Sequence, residues 1–192
     1  VIASAAISRL LQLCALDCTN LAWSFAALGW SHAPLLDAIA AASLRNISDF
    51  DHVGLANTAW SYAAVLCVHL PLLDAISAAA LCSIADFAAQ SLAITAWSLA
   101  ALLFHHEPLL AVLAAAASAR IRDFDSQNLA NTAWAFARFE VHDGPLLEVL
   151  SAASLATISD FDAQELANTA WAFAKIQVQD GPLLEAIAAQ SL

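Results

Sequence analysis

Basic side chains are scarce in this 192-residue chain. There are six, Arg9, Arg45, Arg120, Arg122, Arg138 and Lys175, against 17 carboxylates, and the formal net charge is −11. Non-specific binding to nucleic acid and docking on an anionic membrane both need clustered Lys and Arg, so the overall charge argues against each. Long apolar runs are missing too. The most apolar stretch, Leu92 to Phe104, covers 13 residues, with Asp86 and Gln90 before it and His105, His106 and Glu107 after it. Crossing a bilayer takes about 20 apolar residues, so membrane insertion is not expected. Glycine occurs four times and methionine never. No Gly-rich phosphate loop, nucleophile–base pair or metal-ligand cluster can be assembled, so no catalysis, cofactor or metal is expected. Cys14, Cys18, Cys67 and Cys82 form no CxxC pair and no regular framework, and they read as free thiols in a reducing compartment.

What is abundant is alanine, 48 residues or a quarter of the chain. Alanine is the best helix former and is poor in strands, so the composition points to an all-α fold. The pattern then narrows the class. Trp23, Trp60, Trp97, Trp134 and Trp171 are each 37 residues apart, and Pro34, Pro71, Pro108, Pro145 and Pro182 keep the same spacing, each opening Pro-Leu-Leu. A fixed period of this length means stacked supersecondary units. The expected architecture is a right-handed α-solenoid of about five helix–turn–helix repeats, forming one domain over residues 1–192.

One repeat can be read from its clearest copy. Asp162 suits the N-cap of a first helix, helix A, with Glu165 three residues on as in a capping box and Phe161 able to staple onto Leu166. Phe50-Asp51 and Phe124-Asp125 repeat the arrangement, while Phe87-Ala88 keeps the staple and lacks the cap. Helix A runs to about Gln177, a turn follows, and Pro182 at the first helical position starts helix B. Helix B ends near Ser43-Leu44 and its equivalents, before an Asn-Ile-Ser-Asp connection. Ala on either side of each Trp (Ala59 and Ala63, Ala133 and Ala137, Ala170 and Ala174) lets helices approach, and the Trp itself is expected to fill the core between repeats. Val1 aligns with Ala38 inside a helix B, Leu192 aligns with Leu44 near a helix B end, and no polar capping repeat flanks them. The chain is therefore expected to be a slice of a longer array, or one whose ends protein partners cover.

The motif Leu166-Ala167-Asn168-Thr169-Ala170-Trp171-Ala172-Phe173-Ala174, followed by a Pro-Leu-Leu helix, resembles the octotricopeptide repeat. Matching copies run from Leu55 to Ala63 and from Leu129 to Ala137, with degenerate ones at Cys18 to Ala26 and Leu92 to Ala100. Similar repeats occur in FAST-kinase-like and RAP-domain proteins and in a subunit of kinetoplastid RNA-editing substrate-binding complexes. The resemblance implies an α-solenoid that binds single-stranded organellar RNA, in mitochondria or chloroplasts, and acts in transcript stability, processing or translation.

If RNA binds, the recognition face is expected on helix A, where residues three or four apart share a side. Gln164, Asn168, Ala172 and Lys175 make one such stripe, and Gln127, Asn131, Ala135 and Arg138 make the next. Amides can pair with base edges while a nearby cation meets phosphate. Asn20 and Asn57 extend the amide column, and Arg120 and Arg122 lie in a neighbouring loop. A column of Asn has a second reading, in which each amide hydrogen-bonds a neighbouring backbone group and staples the repeats together. His32, His69, His105, His106 and His142 gather in the A–B turns and are expected to be solvated. Successive turns stand roughly 10 Å apart, too far for shared ligation of a metal at about 2 Å. Asp37, Asp74, Glu148 and Glu185 are expected in the first turn of helix B, facing its positive end. The acidic surface and the uncapped ends support a competing function, a protein–protein scaffold or a structural subunit of a large assembly.

Overall fold

The computed structural model describes residues 12–191, which form ten α-helices and no strand. Val1, Arg9 and Leu192, which entered the reading above, lie outside the described residues. The chain divides into two compact units, Val1–Phe87 and Ala88–Leu192. The first holds α1 (Ala15–Ala27), α2 (Ala33–Arg45), α3 (His52–Ala64) and α4 (Leu70–Ser83). The second holds α5 (Ala89–Ala101), α6 (Glu107–Ala119), α7 (Ser126–Arg138), α8 (Gly144–Ala156), α9 (Ala163–Lys175) and α10 (Gly181–Gln190). Odd-numbered helices are the A helices and even-numbered ones the B helices. Each Ile-x-Asp connection, such as Ile47–Asp49 and Ile121–Asp123, is a single 3₁₀ turn.

Within each unit the packing is that of a helical-repeat solenoid. Helix A lies on the A helix of the next repeat, α1 on α3 and α5 on α7 on α9, and these are the closest contacts in the chain. The B helices form a second, looser layer. Side-chain size explains the difference. The A–A contact is made by small buried residues such as Ala59, Ala96, Ala100, Ala133 and Ala137, with Thr58, Thr95, Thr132 and Thr169 in register among them. Small residues let backbones approach; the Leu-Leu pairs that open the B helices hold theirs apart.

The large core side chain of each repeat is the one two residues after the Trp. Phe25, Tyr62, Leu99, Phe136 and Phe173 are all buried, and the Tyr62 hydroxyl donates to the Leu36 carbonyl at 2.6 Å. Burial pushes that phenol far above the usual tyrosine range. The tryptophans are not core residues. Trp23 is 50% exposed and Trp171 41%, while Trp60, Trp97 and Trp134 are half-buried.

Helix ends follow two rules. Helix A starts on Asp51, Asp125 and Asp162, whose Oδ1 atoms accept from Gly54, Asn128 and Glu165 N–H at 2.7, 2.8 and 2.8 Å. Glu165 returns a bond from the Asp162 N–H at 2.9 Å, completing the capping box, and Ala88 provides no side-chain cap. Every helix A closes on a residue in the left-handed region: Gly29, Leu66, Leu103, Glu140 and Gln177, with φ between 53° and 62°. The next N–H reaches back to the core aromatic or its equivalent, as in Cys67 N–H to Tyr62 C=O at 2.8 Å, the bonding of a Schellman closure.

Helix B starts differently from expectation. Three of the five turn histidines are caps: the Nδ1 atoms of His32, His69 and His106 accept from Leu35, Leu72 and Leu109 N–H at 3.2, 3.1 and 3.2 Å. In the last two repeats Asp143 and Asp180 take over the same bond. The proline stands second rather than first in the helix. Asp37, Asp74, Glu148 and Glu185 accordingly fall just past the first turn, on the exposed side.

Candidate functional site

The outward stripe of helix A follows from which of its sides are free. Two flanks carry Ala and Thr against neighbouring A helices, and a third packs on helix B. In α7 what remains is Gln127, Asn131, Trp134 and Arg138, at steps of four, three and four. In α9 the same positions hold Gln164, Asn168, Trp171 and Lys175. The expected stripe is thus corrected at one position. Ala135 and Ala172 are fully buried, and the tryptophan one residue earlier takes their place. The corresponding residues are Gln90, Ile94, Trp97 and Ala101 in α5, Val53, Asn57, Trp60 and Ala64 in α3, and Leu16, Asn20, Trp23 and Ala27 in α1.

The tryptophans of the second unit touch one another. Ring centroids are 6.2 Å apart from Trp97 to Trp134 and again from Trp134 to Trp171, with planes tilted by 33° and 32°. These separations lie within the contact range of aromatic pairs. The rings therefore form a continuous ribbon along the unit, with one side open to solvent.

Asn131 and Asn168 share their helix faces with that ribbon, and Asn20 and Asn57 hold the same register in the first unit. Asn20 is exposed, and Asn57, Asn131 and Asn168 are half-buried. Among the described residues none of these four side-chain amides has a hydrogen-bond partner in the protein. A staple to neighbouring backbone would require such bonds. No carboxylate occupies any of the twenty stripe positions. Arg138 is exposed and forms no ion pair among the described residues, whereas Lys175 Nζ meets Glu140 Oε1 at 2.5 Å across the repeat boundary. That ammonium holds the Glu140 carboxyl below the usual carboxylate range.

In the first unit the stripe opens into a cavity of about 340 Å³ between α1 and α3, lined by Leu16, Asn20, Asp49, Asp51, Gly54 and Asn57 among others. Nothing in the sequence pattern pointed to it except the break at Gly54, where the other repeats carry Asp17, Ser91, Asn128 and Glu165.

The family described as RNA-editing substrate-binding complex 6 protein matches the chain over residues 1–181. The chain belongs to this family. Among curated proteins, none matches it. The range matched to the RNA-editing substrate-binding complex 6 family takes in every A helix, and with them the whole stripe.

Other candidates in this RNA-editing substrate-binding complex 6 family chain fall away from the stripe. Arg122 lines a separate, apolar cavity of about 410 Å³ with Val149, Ala152, Ala153 and Ala156 of α8, so it stands with helix B and not with Arg138. Arg120 is half-buried at the C-terminal end of α6, where its N–H closes the helix on the Ala116 and Ala117 carbonyls. His142 places its two ring nitrogens 2.9 and 3.1 Å from the Glu140 and Ile176 carbonyl oxygens, a second link across that repeat boundary. Among the described residues all four cysteines are unpaired, no group of His, Cys, Asp and Glu could hold a metal ion, and no helix is long and apolar enough to cross a membrane. Burial raises the Cys18 and Cys67 thiols above their usual range.

Proposed function

We propose that this chain is a non-catalytic RNA-binding scaffold that works in organellar RNA metabolism, as a part of an RNA-editing substrate-binding assembly. The observation that carries the reading is the open stripe of helix A, with its aromatic ribbon, its unpartnered amides and its Arg138 and Lys175, free of carboxylates. Single-stranded RNA offers what such a face lacks. Its bases have flat faces for the indoles, edges for the amides and phosphates for the two cations. The chain's net charge of −11 is spread over its surface and no carboxylate takes a stripe position, although Glu140 pairs with Lys175 and Asp49 and Asp51 line the cavity of the first unit. Candidate contacts are Gln127, Asn131, Trp134 and Arg138, with Gln164, Asn168, Trp171 and Lys175, and with Asn20 and Asn57 in the first unit. Arg120 and Arg122 are left out, since neither shares this face. The family match supports the RNA side of the reading, and the likeness to octotricopeptide repeats supports the organellar setting.

The test is the binding of the chain to labelled single-stranded RNA across a salt series. With Arg138 and Lys175 as the phosphate contacts, log K should fall against log salt with a slope of roughly −1.4, and Arg138→Ala should halve it. Trp134→Ala should cost about 1–3 kcal/mol of affinity, the usual worth of one base–aromatic stack. No binding at low salt overturns the reading.

A protein–protein scaffold is the second reading, and one observation favours it. Leu28, Leu66 and Leu103 project from successive A–B turns at 78%, 75% and 60% exposure, just past the last stripe positions. Exposed leucines at the turns of each unit suit a protein surface.

A further inference from the structure

We infer that the cavity between α1 and α3 is a nucleobase pocket that prefers bases with an exocyclic amino group (adenine, cytosine or guanine) over uracil. The inference rests on the RNA-binding reading and adds a base identity at one repeat.

Size comes first. At about 340 Å³ the cavity lies at the small end of ligand pockets, which run from roughly 300 to 1,000 Å³, and it suits one planar ring system. Its polar groups come second. Asn20 and Asn57 line it, and neither amide has a protein partner among the described residues, so each keeps two N–H donors and an acceptor oxygen for a ligand. Asp49 and Asp51 add acceptors only. Asp49 Oδ1 receives the Ser48 hydroxyl at 3.3 Å and Asp51 Oδ1 the Gly54 N–H at 2.7 Å, which leaves each Oδ2 open. The two open carboxylate oxygens accept only, so they favour a ligand edge that carries more than one N–H. Amino-bearing bases supply one; uracil presents two carbonyls against a single N–H. The same carboxylates repel phosphate, so the base enters while the backbone passes outside. Leu16 and Val53, both exposed, supply apolar contact for the ring.

Gly54 lines the cavity where α3 is packed closely on its own cap and on α1. A Cβ there would come within 3.2 Å of Asp51 Oδ1 and Phe50 Cδ1 and within 3.4 Å of Thr19 Oγ1. Every other repeat has a side chain at this register, Asp17, Ser91, Asn128 or Glu165.

The experiment is fluorescence anisotropy of the full chain with labelled oligo(A), oligo(C) and oligo(U) at low salt, repeated for Gly54→Asn and Asn20→Ala. The unaltered chain should bind oligo(A) and oligo(C) at least about fivefold tighter than oligo(U), the low end of what one good amide–base pairing discriminates. Each substitution should remove that preference by weakening oligo(A) and oligo(C). Asn20 is exposed, so Asn20→Ala keeps the test alive should Gly54→Asn fail to fold, which circular dichroism would reveal. Equal binding of all three by the unaltered chain, or a preference that survives both substitutions, overturns the pocket and leaves RNA binding standing. Failure of all three to bind overturns both.

Discussion

Within the Asn-Thr-Ala-Trp motif, neighbouring residues meet opposite environments. Asn131 and Trp134 face outward, while Thr132 and Ala133 are buried against an adjacent A helix. The hydroxyls of Thr95, Thr132 and Thr169 have no partner there. Thr58 differs, because its hydroxyl lies 3.2 Å from Thr19 Oγ1, which itself donates to the Ala15 carbonyl. Opposite outcomes are expected from the same substitution. Thr132→Val should leave the melting temperature unchanged or raise it, since it removes a buried, unsatisfied hydroxyl without changing shape. Thr58→Val should lower stability by about 1 kcal/mol, the net worth of one buried hydrogen bond. The sequence alone placed Asn on the candidate face but put Trp in the core. Hydrophobicity was the wrong guide there, because a residue this large is seldom fully buried. The signal was available all the same: Gln127, Asn131 and Arg138 need a member at 134 or 135, and a tightly packed A–A layer has space only for the alanine on its inner side.

At the scale of the helix, the period was fully legible and the punctuation partly so. The Asp caps of helix A and the bare Ala88 follow from ordinary N-cap chemistry. The caps of helix B were missed because histidine is not a favoured N-cap type, although His32, His69, His106, Asp143 and Asp180 hold one register and the last two are strong caps. His69→Ala should destabilise by about 1 kcal/mol, and His69→Asp should restore the loss, as read by chemical denaturation. The left-handed closures of helix A carry no sequence signal beyond Gly29, since Leu66, Leu103, Glu140 and Gln177 are poor choices for that conformation. Leu66→Gly should therefore stabilise the chain, by about 1 kcal/mol, the low end of the steric cost of a left-handed non-glycine residue. Between helices, Glu140 and Lys175 are 35 residues apart, close to one period, and their pairing was readable in hindsight. The carboxyl is held below its ordinary range, so its contribution to stability is present above that range and is lost as pH falls through the lowered value. Both groups are exposed, so the effect is small. In Lys175→Gln the Glu140 carboxyl should titrate back in the usual range by NMR.

For the molecule as a whole, composition and period were enough to establish an all-α chain of stacked helix pairs, because ten markers in one register admit no other arrangement. They were not enough to rank its surfaces. Net charge describes the whole surface, whereas recognition depends on where the charge sits, and the stripe is free of carboxylates although the chain is acidic. Membership of the RNA-editing substrate-binding complex 6 family and the open Asn–Trp stripe support the same reading from independent directions. The most direct test of that reading is ultraviolet cross-linking of the chain to single-stranded RNA, with the adducts mapped by peptide mass spectrometry. Adducts should fall on the A-helix peptides that carry Trp97, Trp134 and Trp171. Adducts confined to B-helix peptides, with the stripe tryptophans unmodified, would contradict it.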